Sequence, residues 1–121
     1  MAGFDGHIAN DHAKRLIRDF RVQSLILFKR NVDRPDQVAE LIRELQLLAI
    51  DAGYSRPLLI AIDQEGGRVQ RLRAPWTVWP PIRRLGELDS EELTRDMAKA
   101  MAAELKACGI GLDFAPVMDV D

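Results

Sequence analysis

Three short apolar runs, separated by amphipathic segments, set the pattern of this chain. The runs cover residues 24–28, 58–62 and 110–117, and the last is interrupted by Gly111 and Asp113. Continuous rather than alternating apolar residues are typical of strands that are buried on both faces, as in parallel sheets. We therefore predict three parallel strands in these regions.

Between the runs, apolar residues recur every three or four positions, which predicts helices over residues 10–21, 35–53 and 89–109. The first predicted helix buries Ala13, Leu16, Ile17 and Phe20, and the third opens at Asp89 and carries Leu93, Met97, Met101 and Leu105 on its apolar face. A short strand near Phe4 is predicted ahead of the first helix. Residues 74–81 contain three prolines and are predicted to form a long loop. Alternating strands and helices predict βαβ units and a parallel sheet.

Two α/β architectures fit this order of elements: an open doubly wound sheet, or part of a (β/α)8 barrel. A full barrel needs about 250 residues, or about 31 per βα unit. On that scale the 121 residues correspond to about half of a barrel. Because the chain stops just after a predicted strand, we expect it to be truncated. In both architectures the functional residues lie at the carboxyl ends of the strands.

Composition narrows the possible partners and surroundings. The hydrophobic fraction of 47% argues against disorder, and a net charge of −2 provides no strong field for nucleic acid or an anionic membrane. The single cysteine, Cys108, cannot form an internal disulfide and is predicted to be a core residue. We find no signal-peptide pattern and no apolar run of membrane-spanning length. The expectation is a cytoplasmic protein without a nucleic-acid or membrane partner.

The polar segment after the second apolar run carries the richest chemistry. It reads Asp63-Gln64-Glu65-Gly66-Gly67-Arg68-Val69-Gln70-Arg71-Leu72-Arg73. A carboxylate and guanidinium groups at the end of a buried strand can hold a polyhydroxylated ligand. The alternative is that Asp63 caps a turn and the arginines form surface ion pairs. The glycines do not have the spacing of a phosphate-binding loop.

Further candidates follow the other strands. Asp119 lies beyond the third run, and Asp113 lies within it, where a buried carboxylate needs a partner or a wet cavity. Residues 29–31, after the first run, are interpreted as solvated charge. Trp76 and Trp79 either stack on a sugar or pin their loop to the body of the protein. We predict no metal site and no cofactor, since the two histidines lack a ligand cluster.

Several strings in the chain resemble glycoside hydrolase family 3, and in particular its bacterial β-N-acetylhexosaminidase branch. They are Gly3-Phe4-Asp5-Gly6, Ile26-Leu27-Phe28-Lys29-Arg30-Asn31, Ala61-Ile62-Asp63-Gln64-Glu65-Gly66-Gly67-Arg68-Val69-Gln70-Arg71-Leu72, Trp76-Thr77 with Pro80, and Asp113-Phe114-Ala115-Pro116-Val117-Met118-Asp119-Val120. The resemblance implies that residues 1–121 are the N-terminal part, about half, of a TIM-like (β/α)8 barrel. It implies that the whole protein is a retaining hydrolase that removes terminal β-linked N-acetylglucosamine from peptidoglycan fragments in the cytoplasm. It implies that Asp63 and Arg71 bind substrate and that Asp119 shapes the floor of the site.

The resemblance assigns catalysis to segments that do not occur in these 121 residues. The family's nucleophile lies in a Ser-Asp-Asp-like segment, and its acid/base histidine lies on a Lys-His-Phe-Pro-Gly-His-Gly loop. No residue of this chain is therefore predicted to be catalytic, and the chain alone is expected to be inactive without the remaining barrel. Two alternatives stay open: a β-glucosidase or other glycosidase of the same family, and a non-catalytic sugar-binding module.

Overall fold

The computed structural model describes residues 1–118 as an α/β structure with two small sheets. The helices are α1 (Asp11–Arg18), α2 (Pro35–Asp51), α3 (Arg83–Leu88) and α4 (Glu91–Ala107); the strands are β1 (Ser24–Leu27), β2 (Leu59–Ile62), β3 (Gln64–Gly66), β4 (Val69–Gln70) and β5 (Leu112–Asp113). This order keeps the predicted alternation of strands and helices. It adds the β3–β4 hairpin before the predicted loop of residues 74–81, and helix α3 after it.

Strands β1, β2 and β5 form one parallel sheet in that order. Leu27 is in register with Ile62, and Ile62 is in register with Asp113, so the carboxyl ends of all three strands meet at one edge. Parallel strands joined by helical crossovers confirm the predicted α/β class. This register decides which polar residues become neighbours.

The N-terminal segment joins the edge of the same sheet. The predicted strand near Phe4 is a single parallel bridge between Ala2 and Leu25, and Phe4 itself is buried. The buried Asn31 amide holds this segment, because its Nδ2 donates to the carbonyl oxygens of Phe4 and Gly6 at 3.1 and 2.9 Å. The interpretation of residues 29–31 as solvated charge is therefore wrong for Asn31, which serves as a structural clamp in a 3₁₀ turn.

The core lies between the parallel sheet and the apolar faces of the helices. Helix α2 buries five residues on one face, at positions 38, 41, 42, 45 and 49, and α4 buries Met97, Met101 and Leu105. Cys108 is buried at the end of α4, as predicted. Within residues 1–118, no helix is both long enough and apolar enough to cross a lipid bilayer.

Four details of the sequence prediction are wrong. Phe20 is 63% exposed because α1 ends at Arg18, before its apolar face reaches that position. Leu93 is 44% exposed, on the first turn of α4 outside the packed face. Helix α4 starts at Glu91 with Ser90 as its N-cap, while Asp89 ends α3 in the left-handed conformation. The third strand covers only Leu112–Asp113, since its partner β2 ends at Ile62.

Candidate functional site

The carboxyl ends of the three parallel strands place three residues at one edge of the sheet. Phe28 follows β1, Asp63 follows β2 and Asp113 is the last residue of β5. In parallel α/β folds this edge of the sheet is where ligands bind, because the loops there converge on one surface. The predicted site residue Asp63 therefore lies at the centre of the edge.

The structure brings Asp63 together with the second predicted site residue, Arg71. Arg71 Nη2 donates to Asp63 Oδ2 across 2.7 Å, and the two side chains are 26% and 21% exposed. Charge-assisted contacts of this length are among the stronger hydrogen bonds in proteins. Arg71 Nε is buried and has no hydrogen-bond partner within residues 1–118. The pair is partly shielded from solvent but still open to a ligand.

An aromatic ring supports the Arg71 guanidinium on one side. Arg71 lies 5.8 Å and Arg30 lies 4.7 Å from the centroid of the Phe28 ring. Together with Lys29 these three residues line an open cleft of about 520 Å³. Arg30 is also an anchor, because it pairs with Asp5 and donates to the carbonyl oxygen of Phe4. Phe28 thus contacts both an anchored arginine and the one that pairs with Asp63.

The backbone at Arg71 is fixed by the buried side chain of Gln64. Gln64 Oε1 accepts from the backbone N–H groups of Arg71 and Leu72 at 2.9 and 3.0 Å. Gln64 Nε2 donates to the carbonyl oxygen of Leu72 at 3.0 Å. Since Gln64 follows Asp63 directly, one short segment supplies the carboxylate and also holds the backbone of its arginine partner.

The turn of the β3–β4 hairpin is packed tightly against the loop of residues 74–81. Gly66 and Gly67 have φ angles of +86° and +60°, which L side chains rarely adopt. A Cβ atom on Gly66 would lie 2.2 Å from the carbonyl oxygen of Pro80, and one on Gly67 would lie 2.8 Å from Pro81 Cγ. The two glycines therefore allow the close approach that closes this side of the site.

The two tryptophans pin the loop rather than offer a stacking platform. Trp76 is 9% exposed and belongs to the hydrophobic core. Trp79 is half-buried, and its Nε1 donates to Glu104 Oε2 at 3.3 Å. The sequence left two interpretations open, sugar stacking and anchoring of the loop. The structure favours anchoring, because both rings are packed against the protein rather than exposed at the edge of the sheet.

Asp113 has the partner that its position requires. Its Oδ1 accepts from the backbone N–H of Gln64 at 2.8 Å. Burial raises the pKa of Asp113, the Gln64 hydrogen bond lowers it, and the neighbouring carboxylates of Asp63 and Glu65 raise it further. Asp113 therefore ties β5 to the start of the hairpin. The other rim candidate, Asp119, lies outside the described residues.

The remaining predicted candidates lie away from the pair. Arg73 Nη2 donates to the carbonyl oxygen of Gly67 at 2.7 Å, so it holds the hairpin turn, while the Arg68 side chain is exposed. Within residues 1–118, no group of three or more His, Cys, Asp or Glu side chains is arranged to hold a metal ion.

Sequence reasoning missed the polar residues that build the support of the site. Gln64 and Gln70 face each other across the β3–β4 hairpin, and Glu104 reaches it from α4 by way of the loop. The Gly66-Gly67 pair between two short segments is a recognised hairpin signal, but it does not give the register. A two-residue turn there would pair Gln64 with Val69, whereas the observed pairing of Gln64 with Gln70 includes a bulge. No sequence pattern marks Glu104, because it occupies a position on the predicted helix that is typical of exposed residues.

The fold and the site define this chain as an α/β unit with its polar centre at the carboxyl ends of parallel strands. The family model described as the glycosyl hydrolase family 3 N-terminal domain matches residues 3–121, so the chain belongs to this family. The predicted family and the predicted fold class are thereby confirmed.

Relatives and solved structures agree with this assignment. The chain is 47% identical over 106 residues to a beta-hexosaminidase of Nitrosomonas eutropha, covering 83% of this chain and 29% of that protein. It is 45% identical to a family 3 beta-N-acetylglucosaminidase from a Paenibacillus species, with a TM-score of 0.95 over 99% of this chain and 23% of that one. It is 34% identical to NagZ from Neisseria gonorrhoeae, solved in complex with N-trifluoroacetyl-D-glucosamine, with a TM-score of 0.86 over 100% of this chain and 36% of that one. The chain thus spans about a third or less of each of these proteins.

Proposed function

We propose that the protein carrying this chain is a retaining β-N-acetylhexosaminidase, and that Asp63 and Arg71 bind the terminal sugar. The observation that carries the proposal is the 2.7 Å contact between these two side chains at the carboxyl end of β2. Membership of glycosyl hydrolase family 3 and the beta-hexosaminidase names of the relatives support the choice of substrate class.

The chemistry of the pair suits a sugar ring. A carboxylate accepts hydrogen bonds from neighbouring hydroxyl groups, and a guanidinium donates several in a fixed plane. Arg71 offsets the charge of Asp63 without enclosing it, because both side chains keep about a fifth to a quarter of their surface exposed. Phe28 adds an apolar surface beside the guanidinium, which excludes water from one side of the site.

The bond-breaking groups belong to the remainder of the protein. Retaining hydrolysis needs a nucleophile and a proton donor on opposite sides of the glycosidic bond, with their carboxyl groups about 5–5.5 Å apart in the usual two-carboxylate form. Asp63 is paired with Arg71, and Asp113 is bonded to the Gln64 amide. Neither the Ser-Asp-Asp-like nor the Lys-His-Phe-Pro-Gly-His-Gly-like segment occurs in the chain. The 121 residues therefore supply part of the substrate site and have no hydrolase activity alone.

The biological role proposed for the whole protein is the recycling of peptidoglycan fragments in the cytoplasm, with N-acetylglucosamine-containing saccharides or muropeptides as substrates. The support is the long Asp63–Arg71 motif, which resembles the hexosaminidase branch of the family. A sequence net charge of −2 gives no electrostatic reason to invoke a nucleic-acid substrate.

The decisive experiment is the substitution Asp63→Asn in the full-length protein, with an aryl N-acetyl-β-glucosaminide as substrate. Hydrogen bonds to charged groups contribute about 1.5–3 kcal/mol, so kcat/KM should fall by about 10- to 100-fold. Asp51→Asn is the matched control, because Asp51 is an exposed carboxylate at the end of α2. Unchanged turnover by the Asp63 variant would remove this residue from the site.

Two further measurements separate the alternatives. An aryl glucoside that lacks the N-acetyl group should be a much poorer substrate; equal or faster turnover would favour a β-glucosidase. Static light scattering and titration of the isolated chain with N-acetylglucosamine address the sugar-binding module. A compact monomer that binds the sugar would support that module and contradict the need for the remaining barrel.

A further inference from the structure

We infer that Glu104 is a positioning residue for Arg71, acting through the loop of residues 74–81 and the β3–β4 hairpin. The inference rests on the proposed function, since Arg71 must bind the sugar for its position to matter. It adds a residue from α4, on a different element from either member of the pair. Each link is a hydrogen bond within residues 1–118.

The first link joins α4 to the loop. Glu104 Oε1 accepts from the backbone N–H of Thr77 at 3.0 Å and from Thr77 Oγ1 at 2.8 Å. Glu104 Oε2 accepts from Trp79 Nε1 at 3.3 Å. Both carboxylate oxygens are therefore used, and all three donors belong to one short stretch of the loop. A glutamine could keep only part of this set, because its amide nitrogen cannot accept.

The second link joins the loop to the hairpin. Gln70 Nε2 donates to the carbonyl oxygen of Thr77 at 2.6 Å, and the backbone N–H of Trp79 donates to Gln70 Oε1 at 3.1 Å. The carbonyl oxygen of Trp79 accepts from the backbone N–H of Gly67 at 2.9 Å. Glu104 therefore hydrogen-bonds to Thr77 and Trp79, the same two loop residues that hydrogen-bond to the hairpin.

The third link joins the hairpin to Arg71. Gln70 is followed directly by Arg71, and Gln70 Nε2 also donates to the carbonyl oxygen of Leu72 at 2.7 Å. Gln64 holds the backbone N–H of Arg71 from the other strand. The segment that carries Arg71 is thus fixed between two buried glutamines, one of which depends on the loop for its orientation.

The loop needs an external anchor because of its composition. Three of its residues, Pro75, Pro80 and Pro81, have no backbone N–H to donate. A loop with so few donors cannot form a regular ladder of its own, so side-chain acceptors decide where it lies. Glu104 is the acceptor that ties it to α4, and a displaced loop would release both the Gly67 contact and the Gln70 amide.

The test compares N-acetylglucosamine binding by the full-length protein and by its Glu104→Ala and Glu104→Gln variants. We expect the Kd to rise about 10-fold for Glu104→Ala and by a smaller factor for Glu104→Gln. Glu92→Ala is the matched control, since Glu92 lies on the same helix, is exposed, and makes no side-chain hydrogen bond or ion pair within the described part of the chain. A Kd that stays unchanged in both Glu104 variants would overturn the inference.

A double-mutant cycle distinguishes positioning from general destabilisation. In an Arg71→Ala background the Glu104→Ala substitution should leave the remaining affinity almost unchanged, because its effect runs through Arg71. If the two losses multiply instead, Glu104 acts independently of Arg71 and the inference is wrong. If Arg71→Ala alone does not weaken binding, it is the proposed function that fails. The two failures are therefore separate results.

Milder variants keep the test valid if Glu104→Ala impairs folding. Thr77→Val removes only the hydroxyl donor at nearly constant volume, and Trp79→Phe removes the indole donor together with part of the ring. Each should raise the Kd by about two- to threefold with a cooperative thermal unfolding transition retained. Affinities equal to that of the unchanged protein in both variants would contradict the role of the loop contacts.

Discussion

Arg71 and Asp63 are joined by a 2.7 Å contact although they lie eight positions apart, on either side of a complete hairpin. The hairpin reverses the chain so that the residue after β4 returns to the residue after β2. Each strand of the hairpin carries a buried glutamine, and these glutamines fix the backbone beside Arg71. The geometry of the pair therefore depends on the hairpin as much as on the attraction between the two charges.

The substitution Arg71→Lys tests whether shape or charge matters at this position. A lysine keeps the positive charge but loses the planar set of donors and the favourable stacking beside Phe28. We expect the Kd for N-acetylglucosamine to rise about 10-fold, corresponding to about 1.4 kcal/mol. Isothermal titration calorimetry on the full-length protein measures this, with Arg68→Lys as the control because its side chain is exposed. Equal affinity in the Arg71 variant would show that charge alone is enough.

The substitution Gly66→Ala tests the close approach of the loop to the hairpin. The new methyl group would lie 2.2 Å from the carbonyl oxygen of Pro80, on a residue whose φ angle is +86°. We expect a loss of about 2–4 kcal/mol in the free energy of unfolding, because steric overlap and an unfavourable backbone conformation add. Urea unfolding is the measurement.

Gly86→Ala is the matched control for that experiment. Gly86 lies within α3, and a Cβ atom there would meet nothing within 4 Å. Alanine is favoured over glycine in a helix by about 0.8–1 kcal/mol, so this variant should be neutral or slightly more stable. A similar loss of stability in both variants would mean that the contact with Pro80 is not the cause.

The parallel sheet and the place of Asp63 at its edge could be predicted because their signals are local. Continuous apolar runs identified the strands, and the register of parallel strands places the residues that follow them at one edge. Asp63 follows such a run directly. The family resemblance implied that Arg71 belongs to the same site, but neither the motif nor its spacing predicted the direct contact between the two side chains.

The supporting residues could not be predicted in the same way because their partners are distant in the chain. Glu104 bonds to residues 25 and 27 positions away, and no periodic pattern marks such a contact. Asn31 reads as part of a charged segment, but it is buried by the N-terminal residues that cover it. The predicted burial of Phe20 is wrong for a different reason. A helical pattern does not show that the helix ends two residues earlier, at Arg18.

The substitution Gln64→Leu tests the buried amide that holds Arg71. Leucine has a similar volume but leaves the backbone N–H groups of Arg71 and Leu72 without their acceptor. An unsatisfied buried polar group costs about 1–3 kcal/mol, so we expect a loss of about 2–4 kcal/mol in the free energy of unfolding for the two together. Gln23→Leu is the control, since Gln23 is exposed. Stability within about 0.5 kcal/mol of the unchanged protein would show that the amide is dispensable.

The carboxyl group of Asp113 should make stability depend on pH. Burial raises the pKa of Asp113, the hydrogen bond from the Gln64 N–H opposes this, and the charges of Asp63 and Glu65 add to the increase. A carboxyl group whose pKa is raised on folding favours the folded state while it is protonated. That contribution is present below the pKa of the unfolded chain, about 3.9, and is lost as the pH rises through the pKa of the folded state.

Asp113→Asn separates this charge from the hydrogen bond. Asparagine keeps a carbonyl oxygen that can accept from the Gln64 N–H at the same position. We expect the variant to gain stability relative to the unchanged protein as the pH rises from 3 to 7, with the two most similar at the acidic end. Urea unfolding across this range gives the difference, and NMR titration of the carboxyl carbon gives the pKa directly. In a Glu65→Gln variant that pKa should fall but stay above its usual value, because burial is the largest cause of the shift. If the variant instead loses stability relative to the unchanged protein as the pH rises, the ionised carboxylate is the form that the fold requires.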